Sequence, residues 1–217
     1  MRADGRLRSL VDPVHTAVLT MELQKGVVGD DAFMPTLAVA VREAGILPVA
    51  GRVCASARAA GVRVVHGTAV SRSDGAGEAV NCRILAISAK SRRDRGSSPI
   101  GIGTRGAELV DEIGVDENDI EVPRLHGMTP FTSTALDQIL RNLGITTVII
   151  IGVSLNVGVI GAALGAVDRG YQVVVVRDAV AGVPASYAAD VLDNSIAMIA
   201  TIVTADELVT AWQPAED

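Results

Sequence analysis

At 217 residues and 22.4 kDa the chain is long enough for one sizeable core and short for two lobes, so a single domain over residues 1–217 is expected. Hydrophobic residues make up 49% and charged residues 20%, a globular composition that excludes disorder and low-complexity repeats. A net charge of −6, with only one Trp, two Tyr and two Phe, speaks against nucleic acid twice over: duplex binding needs a positive footprint, and single-strand binding needs rings for stacking.

Short apolar runs alternate with helix-like segments along the whole chain. The first residues are charged with no apolar run behind them, unlike a secretory leader. Strands are expected at 16–23, 62–66, 120–122, 147–151, 172–176 and 201–203, and helices at 48–60, 83–89, 134–142, 157–169, 185–199 and 205–212. Runs such as Val148-Ile-Ile-Ile151 are apolar on both faces, as strands are when helices cover both sides of a parallel sheet. The expected architecture is a three-layer α/β/α sandwich with right-handed crossovers.

Two stretches need separate treatment. Residues 145–167 carry no charge and are long enough to span a bilayer, but a β-branched run, a turn and a Gly/Ala-rich segment follow one another there. That order predicts a buried strand, a tight turn and a helix, not a membrane span. Residues 68–118 form a loop-rich excursion with a basic run, Lys90-Ser-Arg-Arg-Asp-Arg95, readable as a solvated surface loop, a lid or an oligomer contact.

Gly101, Gly103 and Gly106 meet the GxGxxG spacing of a dinucleotide site, but Arg95-Gly-Ser-Ser-Pro99 precedes them where a strand should stand, so a loop is expected. Ligand sites of parallel α/β sheets lie at the carboxyl ends of strands. Three such ends carry polar residues: Glu22 and Gln24 after the first strand, Arg124 and His126 after the third, Ser154 and Asn156 after the fourth. Glu22 closes an apolar strand, where a partly desolvated carboxyl suits acid or base work or serves as a capping or loop carboxylate. His66 ends the second strand near this region and reads as a satisfied structural histidine. His15, His66 and His126 are scattered, so neither a metal nor another cofactor is expected.

Thr16-Ala-Val-Leu-Thr-Met-Glu-Leu-Gln24, Thr129-Pro-Phe131, Gly152-Val-Ser-Leu-Asn-Val-Gly158 and Ala166-Val-Asp-Arg-Gly-Tyr-Gln-Val-Val-Val-Val-Arg-Asp-Ala179 together resemble the isochorismatase-like superfamily of cysteine hydrolases. The resemblance covers nearly the whole chain. It implies a Rossmann-like sheet of six parallel strands and homodimers or homotetramers. It also implies an Asp, Lys and Cys in the amidases of the family, with backbone amides around a non-proline cis peptide binding an oxyanion. Carried over by position, the Asp site is Glu22, the Lys site Leu125, flanked by Arg124 and His126, and the Cys site Gly158. The cis peptide falls at Val153–Ser154, with Gln24, Val153, Ser154, Leu155 and Gly158 at the substrate or oxyanion.

All three amidase positions therefore differ from the family pattern. Glycine at 158 removes the nucleophile, a loss on the order of a millionfold in other covalent enzymes, and neither Cys54 nor Cys82 stands in its place. Leucine at 125 removes a cation; Arg124 replaces it only if a bulge re-aims its side chain, since neighbouring strand residues face opposite ways. The isochorismatases of the superfamily also carry Gly at the Cys site, because their acid protonates a vinyl ether that water then attacks. The expectation is a cytoplasmic hydrolase with thiol-independent chemistry on a small molecule, a vinyl ether or similar, Glu22 being its general acid or base. The alternative is an inactive homologue acting as a binding or assembly module. Neither reading involves nucleic acid or a membrane.

Overall fold

A computed structural model describes residues 2–214, with side chains from residue 5. In chain order the elements are α1 (Arg2–Leu10), β1 (Thr16–Met21), α2 (Lys25–Val28), α3 (Pro35–Ala44), α4 (Ile46–Ala59), β2 (Arg63–Ala69) and α5 (Arg83–Arg95). There follow β3 (Ile120–Arg124), α6 (Leu136–Asn142), β4 (Thr147–Val153), α7 (Ile160–Val167), β5 (Gln172–Ala181), α8 (Ala185–Asn194), β6 (Thr201–Val203) and α9 (Ala205–Trp212).

All six strands pair parallel in the order β3-β2-β1-β4-β5-β6. β1 and β4 lie at the centre with every residue buried, which is why their sequences lack the apolar/polar alternation of a half-solvated strand. Their odd and even residues feed two separate cores. Val18, Ile149 and Ile151 pack with α3, α4 and α9 on one face; Leu19, Met21, Val148 and Ile150 pack with α6, α7 and α8 on the other. The chain leaves β1 toward β2 and β3 on one side and toward β4 on the other, so the topological switch lies between the carboxyl ends of β1 and β4.

The charge-free stretch 145–167 resolves into β4, a wide π-type turn at Leu155–Val159, and α7. Among the described residues no helix is long and apolar enough to cross a membrane. The helix expected at 157–169 thus starts through this π-turn and ends at Val167. The one expected at 185–199 breaks at Ser195 into α8 and a short 3₁₀ turn, Ile196–Met198.

Helices α1, α2 and α3 were not expected, and α5 is longer than expected. α3 begins with Pro35 at its first turn and ends on Gly45 at φ 64°, the placement each residue favours, and it buries Leu37, Ala38 and Val41. α5 runs six residues beyond the expected 83–89 and takes in the whole basic run, with Lys90 bonded to Asp94 one turn on. The excursion is therefore partly helical. It is also tied to the body, where Lys25 N–H donates to Glu108 O and Val110 N–H donates to Leu23 O, both at 2.9 Å.

The GxGxxG segment lies in a loop, as expected. A Cβ on Gly106 would stand 1.8 Å from Pro99 O, and one on Gly26 2.0 Å from the same atom, so these glycines serve a close backbone crossing. Gly161 and Gly165 of α7 admit Thr129 and Phe131 from the segment after β3.

Candidate active site

Three strand ends converge on a cavity of about 100 Å³. Glu22 follows β1, Arg124, Leu125 and His126 come from the end of β3 and the turn after it, and Ser154, Val157 and Gly158 follow β4. The excursion supplies much of the remaining wall, including Val70, Val80, Ile84, Leu85 and Ile100. Residues read as a possible lid are thus a structural part of the site.

Glu22 adopts φ 52°, a left-handed conformation uncommon for a residue with a side chain, and its N–H donates to Gly67 O at 2.9 Å. Such backbone is held in place by its surroundings, and it turns the Glu22 side chain off the line of β1. Its Oε1 meets Nη2 of Arg124 in an ion pair whose side chains are 16% and 5% exposed. Arg124 Nε donates to Gly127 O at 2.9 Å, which fixes the guanidinium from its other side.

This pair corrects the reading that Glu22 lacks a neighbouring cation. Arg124 needs no bulge: it lies two residues after Val122, and the strand period of two turns both inward. Leu125, the position counted back from Phe131, is 46% exposed and contributes only an apolar patch of wall. The period of two running from Val122 was the signal that could have found Arg124.

The other expected residues divide clearly. Ser154, Gly158 and His126 line the cavity. The Val153–Ser154 peptide bond is cis. Val153 and Leu155 bury their side chains in opposite cores, so only their backbone is available to a ligand. Gln24 does not reach the cavity at all. It is fully buried, its Nε2 donates to Ala69 O and Ala107 O, both at 2.9 Å, and its Oε1 accepts from Ala69 N–H at 2.8 Å. Its role is to stitch β1, β2 and the excursion together. Asn156 likewise turns away, donating to Val183 O at 3.1 Å.

Neither cysteine lines the cavity. Cys54 is buried in α4, where burial pushes its thiol up to about 12, and Cys82 is exposed just before α5. A Cβ at 158 would lie 3.0 Å from Val153 O, so glycine fits tightly there. Among the described residues no three His, Cys, Asp or Glu side chains gather as a metal set.

His66 belongs to a separate buried network beneath α4. Its Nδ1 lies 2.8 Å from Thr20 Oγ1 and its Nε2 3.1 Å from Asp119 Oδ2, an arrangement the neutral Nε2–H tautomer satisfies at both nitrogens. Arg58 holds the same Asp119 carboxylate, with Nη2 2.7 Å from Oδ2. Burial lowers the His66 pKa from its usual 6.5, against the opposing pull of Asp119. Burial alone would raise Asp119, but the bonds from Arg58, the Asp116 N–H and His66 outweigh it and hold the carboxyl below its ordinary value.

The unfolded chain therefore accepts a proton on this histidine that the folded protein resists. The stability present above about pH 6.5 is lost as pH falls through that value toward the lower folded one, and Asp119 adds a further loss in the carboxylate range. Denaturation midpoints between about pH 7.5 and 5 will show this decline, and His66→Gln will flatten its upper part; a decline unchanged in His66→Gln would assign it elsewhere.

Residues 16–207 match the family model of the isochorismatase domain. An uncharacterized isochorismatase family protein of Bacillus subtilis is 40% identical over 73 residues, which span 34% of this chain and only 38% of that relative. An isochorismatase family protein of Desulfovibrio vulgaris superposes with a TM-score of 0.77 at 25% identity, covering 89% of this chain and 95% of its own. An N-carbamoylsarcosine amidase of Thermoplasma acidophilum does so with a TM-score of 0.65 at 26% identity, covering 88% and 97%.

Proposed function

The chain belongs to the isochorismatase family and has its hydrolase fold, and we propose that it hydrolyses a small molecule without a covalent enzyme intermediate, with Glu22 moving the proton. The observation that carries this reading is the Glu22–Arg124 ion pair on the wall of a cavity whose nucleophile position is Gly158.

Arg124 engages Oε1 of Glu22 and, among the described residues, no donor engages Oε2, which leaves a carboxylate oxygen for a water molecule. The pairing suits a base more than the acid that vinyl ether protonation requires. Water gives a proton to Glu22 as its oxygen adds to the substrate's carbonyl carbon. The negative charge that develops on the carbonyl oxygen falls to Arg124 and to backbone N–H groups opening the turn at Leu155. Collapse breaks the bond to the leaving group, which takes the proton back from Glu22. Amide chemistry is the activity named for the Thermoplasma relative, and a neutral carbonyl meets the same requirements here.

The test is a turnover screen of neutral aliphatic amides and esters, with vinyl ethers alongside, repeated with Cys82→Ser. Hydrolysis of at least one amide or ester is expected, with an unchanged rate in the variant. Absence of turnover across the panel would leave the family's inactive-homologue reading standing, and dependence on Cys82 would overturn thiol independence.

A further inference from the structure

The cavity wall carries a second charged pair that this chemistry does not use. Glu78, in the loop before α5, accepts a 2.5 Å hydrogen bond on Oε2 from Arg92 Nη1. The other oxygen of Glu78, Oε1, is buried and accepts nothing from the described residues. Arg124 shows the converse. Its Nε and Nη2 are engaged, while Nη1 is buried and donates to nothing. Glu78 and Arg124 line the same cavity, whose remaining lining is largely apolar and includes Val27, Leu37, Val80, Ile84 and Ile100.

A buried polar atom without a partner is uncommon, and its desolvation is uncompensated until something bonds to it. Here one such atom is a donor and the other an acceptor. Each formal charge is already matched, Arg124 by Glu22 and Glu78 by Arg92. What remains for a ligand is directional bonding without spare charge, and that favours neutral groups: a carbonyl or ether oxygen at Arg124, a hydroxyl or N–H at Glu78. A carboxylate would meet Glu22 beside the same guanidinium and be repelled.

We propose that the substrate class is a neutral aliphatic carbonyl compound bearing a hydroxyl or N–H group away from the carbonyl. Arg124 Nη1 takes its carbonyl oxygen and Glu78 Oε1 its donor, which makes Glu78 a specificity-determining residue. The assignment rests on the proposed hydrolysis only in placing the reacting carbonyl at Arg124.

The test measures dissociation constants of the full chain for 4-hydroxybutanamide, 5-hydroxypentanamide and 6-hydroxyhexanamide, each against the unsubstituted amide of equal length. At one length the hydroxy amide should bind about tenfold tighter or more, the scale expected of one buried hydrogen bond, and tighter than the corresponding hydroxy carboxylate. Glu78→Leu should bring the ratio of the two amides to about one. Equal affinities at every length, a preference that survives Glu78→Leu, or no amide binding at millimolar concentration would overturn the proposal. The wild-type comparison needs no variant and decides the matter should Glu78→Leu not fold. Glu22→Gln separates the two readings: it should lower turnover by about 10²- to 10⁴-fold and leave the hydroxyl preference intact. A Glu78-dependent preference together with turnover surviving Glu22→Gln would sink the hydrolytic mechanism alone.

Discussion

Arg124→Leu will destabilise the protein by about 3–5 kcal/mol, the cost typical of removing one partner from a buried ion pair. Glu22 would keep its place on a left-handed turn at the end of β1, 16% exposed, with no cation to offset its charge. The double variant Glu22→Leu/Arg124→Leu should recover most of the loss, because apolar replacement of a whole buried pair is commonly close to neutral. Urea denaturation of the two variants checks both statements. A loss below about 1 kcal/mol in Arg124→Leu would place the pair in the class of solvated surface bridges and remove the electrostatic basis of the site.

Gly152→Ala will be comparably damaging. Gly152 stands near the end of central strand β4 at φ 108°, where a Cβ would lie 2.3 Å from Met21 O and 2.9 Å from Met21 N. The conformation alone costs a residue with a side chain about 1–3 kcal/mol, and the clash with backbone that cannot step aside adds about 1–3 kcal/mol more. Gly170→Ala is the control, since Gly170 has φ 87° but open space around its Cβ position. Denaturation midpoints should fall steeply for Gly152→Ala and by only the conformational part for Gly170→Ala. Equal losses would mean that the approach to Met21 carries no weight.

The contrast between these two sites shows what the sequence discloses. Strands apolar on both faces announce a covered parallel sheet, so all six strands and the three layers were legible from runs such as Val148-Ile-Ile-Ile151 and Val173-Val-Val-Val176. Helix α3 was not, because Val39 and Val41 blur a helical pattern whose clearer marks are Pro35 at its start and Gly45 at its end. The basic run 90–95 looked like loop because its charges hide the face of α5 that lays Ile84, Leu85 and Ser88 on the cavity.

At the site, four of the polar strand-end residues, Glu22, Arg124, His126 and Ser154, line one cavity together with Gly158, the position given by the family resemblance. Counting positions along the chain chose Leu125 over Arg124, whereas the pleat of β3 decides which of two neighbours faces inward. Gln24 was misjudged for a related reason. A buried amide two residues after the candidate carboxyl Glu22 looks like a ligand contact until its three bonds to Ala69 and Ala107 account for it. Glu78 was out of reach altogether, since only the fold brings residue 78 to the cavity that residue 22 also lines.

The most direct test of the account is the turnover number of Glu22→Gln on an amide or ester that the wild-type chain hydrolyses. The glutamine keeps nearly the same shape beside Arg124 and cannot take a proton from water. The turnover number should fall about 10²- to 10⁴-fold with the fold and amide binding retained, the range general-base catalysis contributes. An unchanged turnover number would contradict it and remove Glu22 from the chemistry.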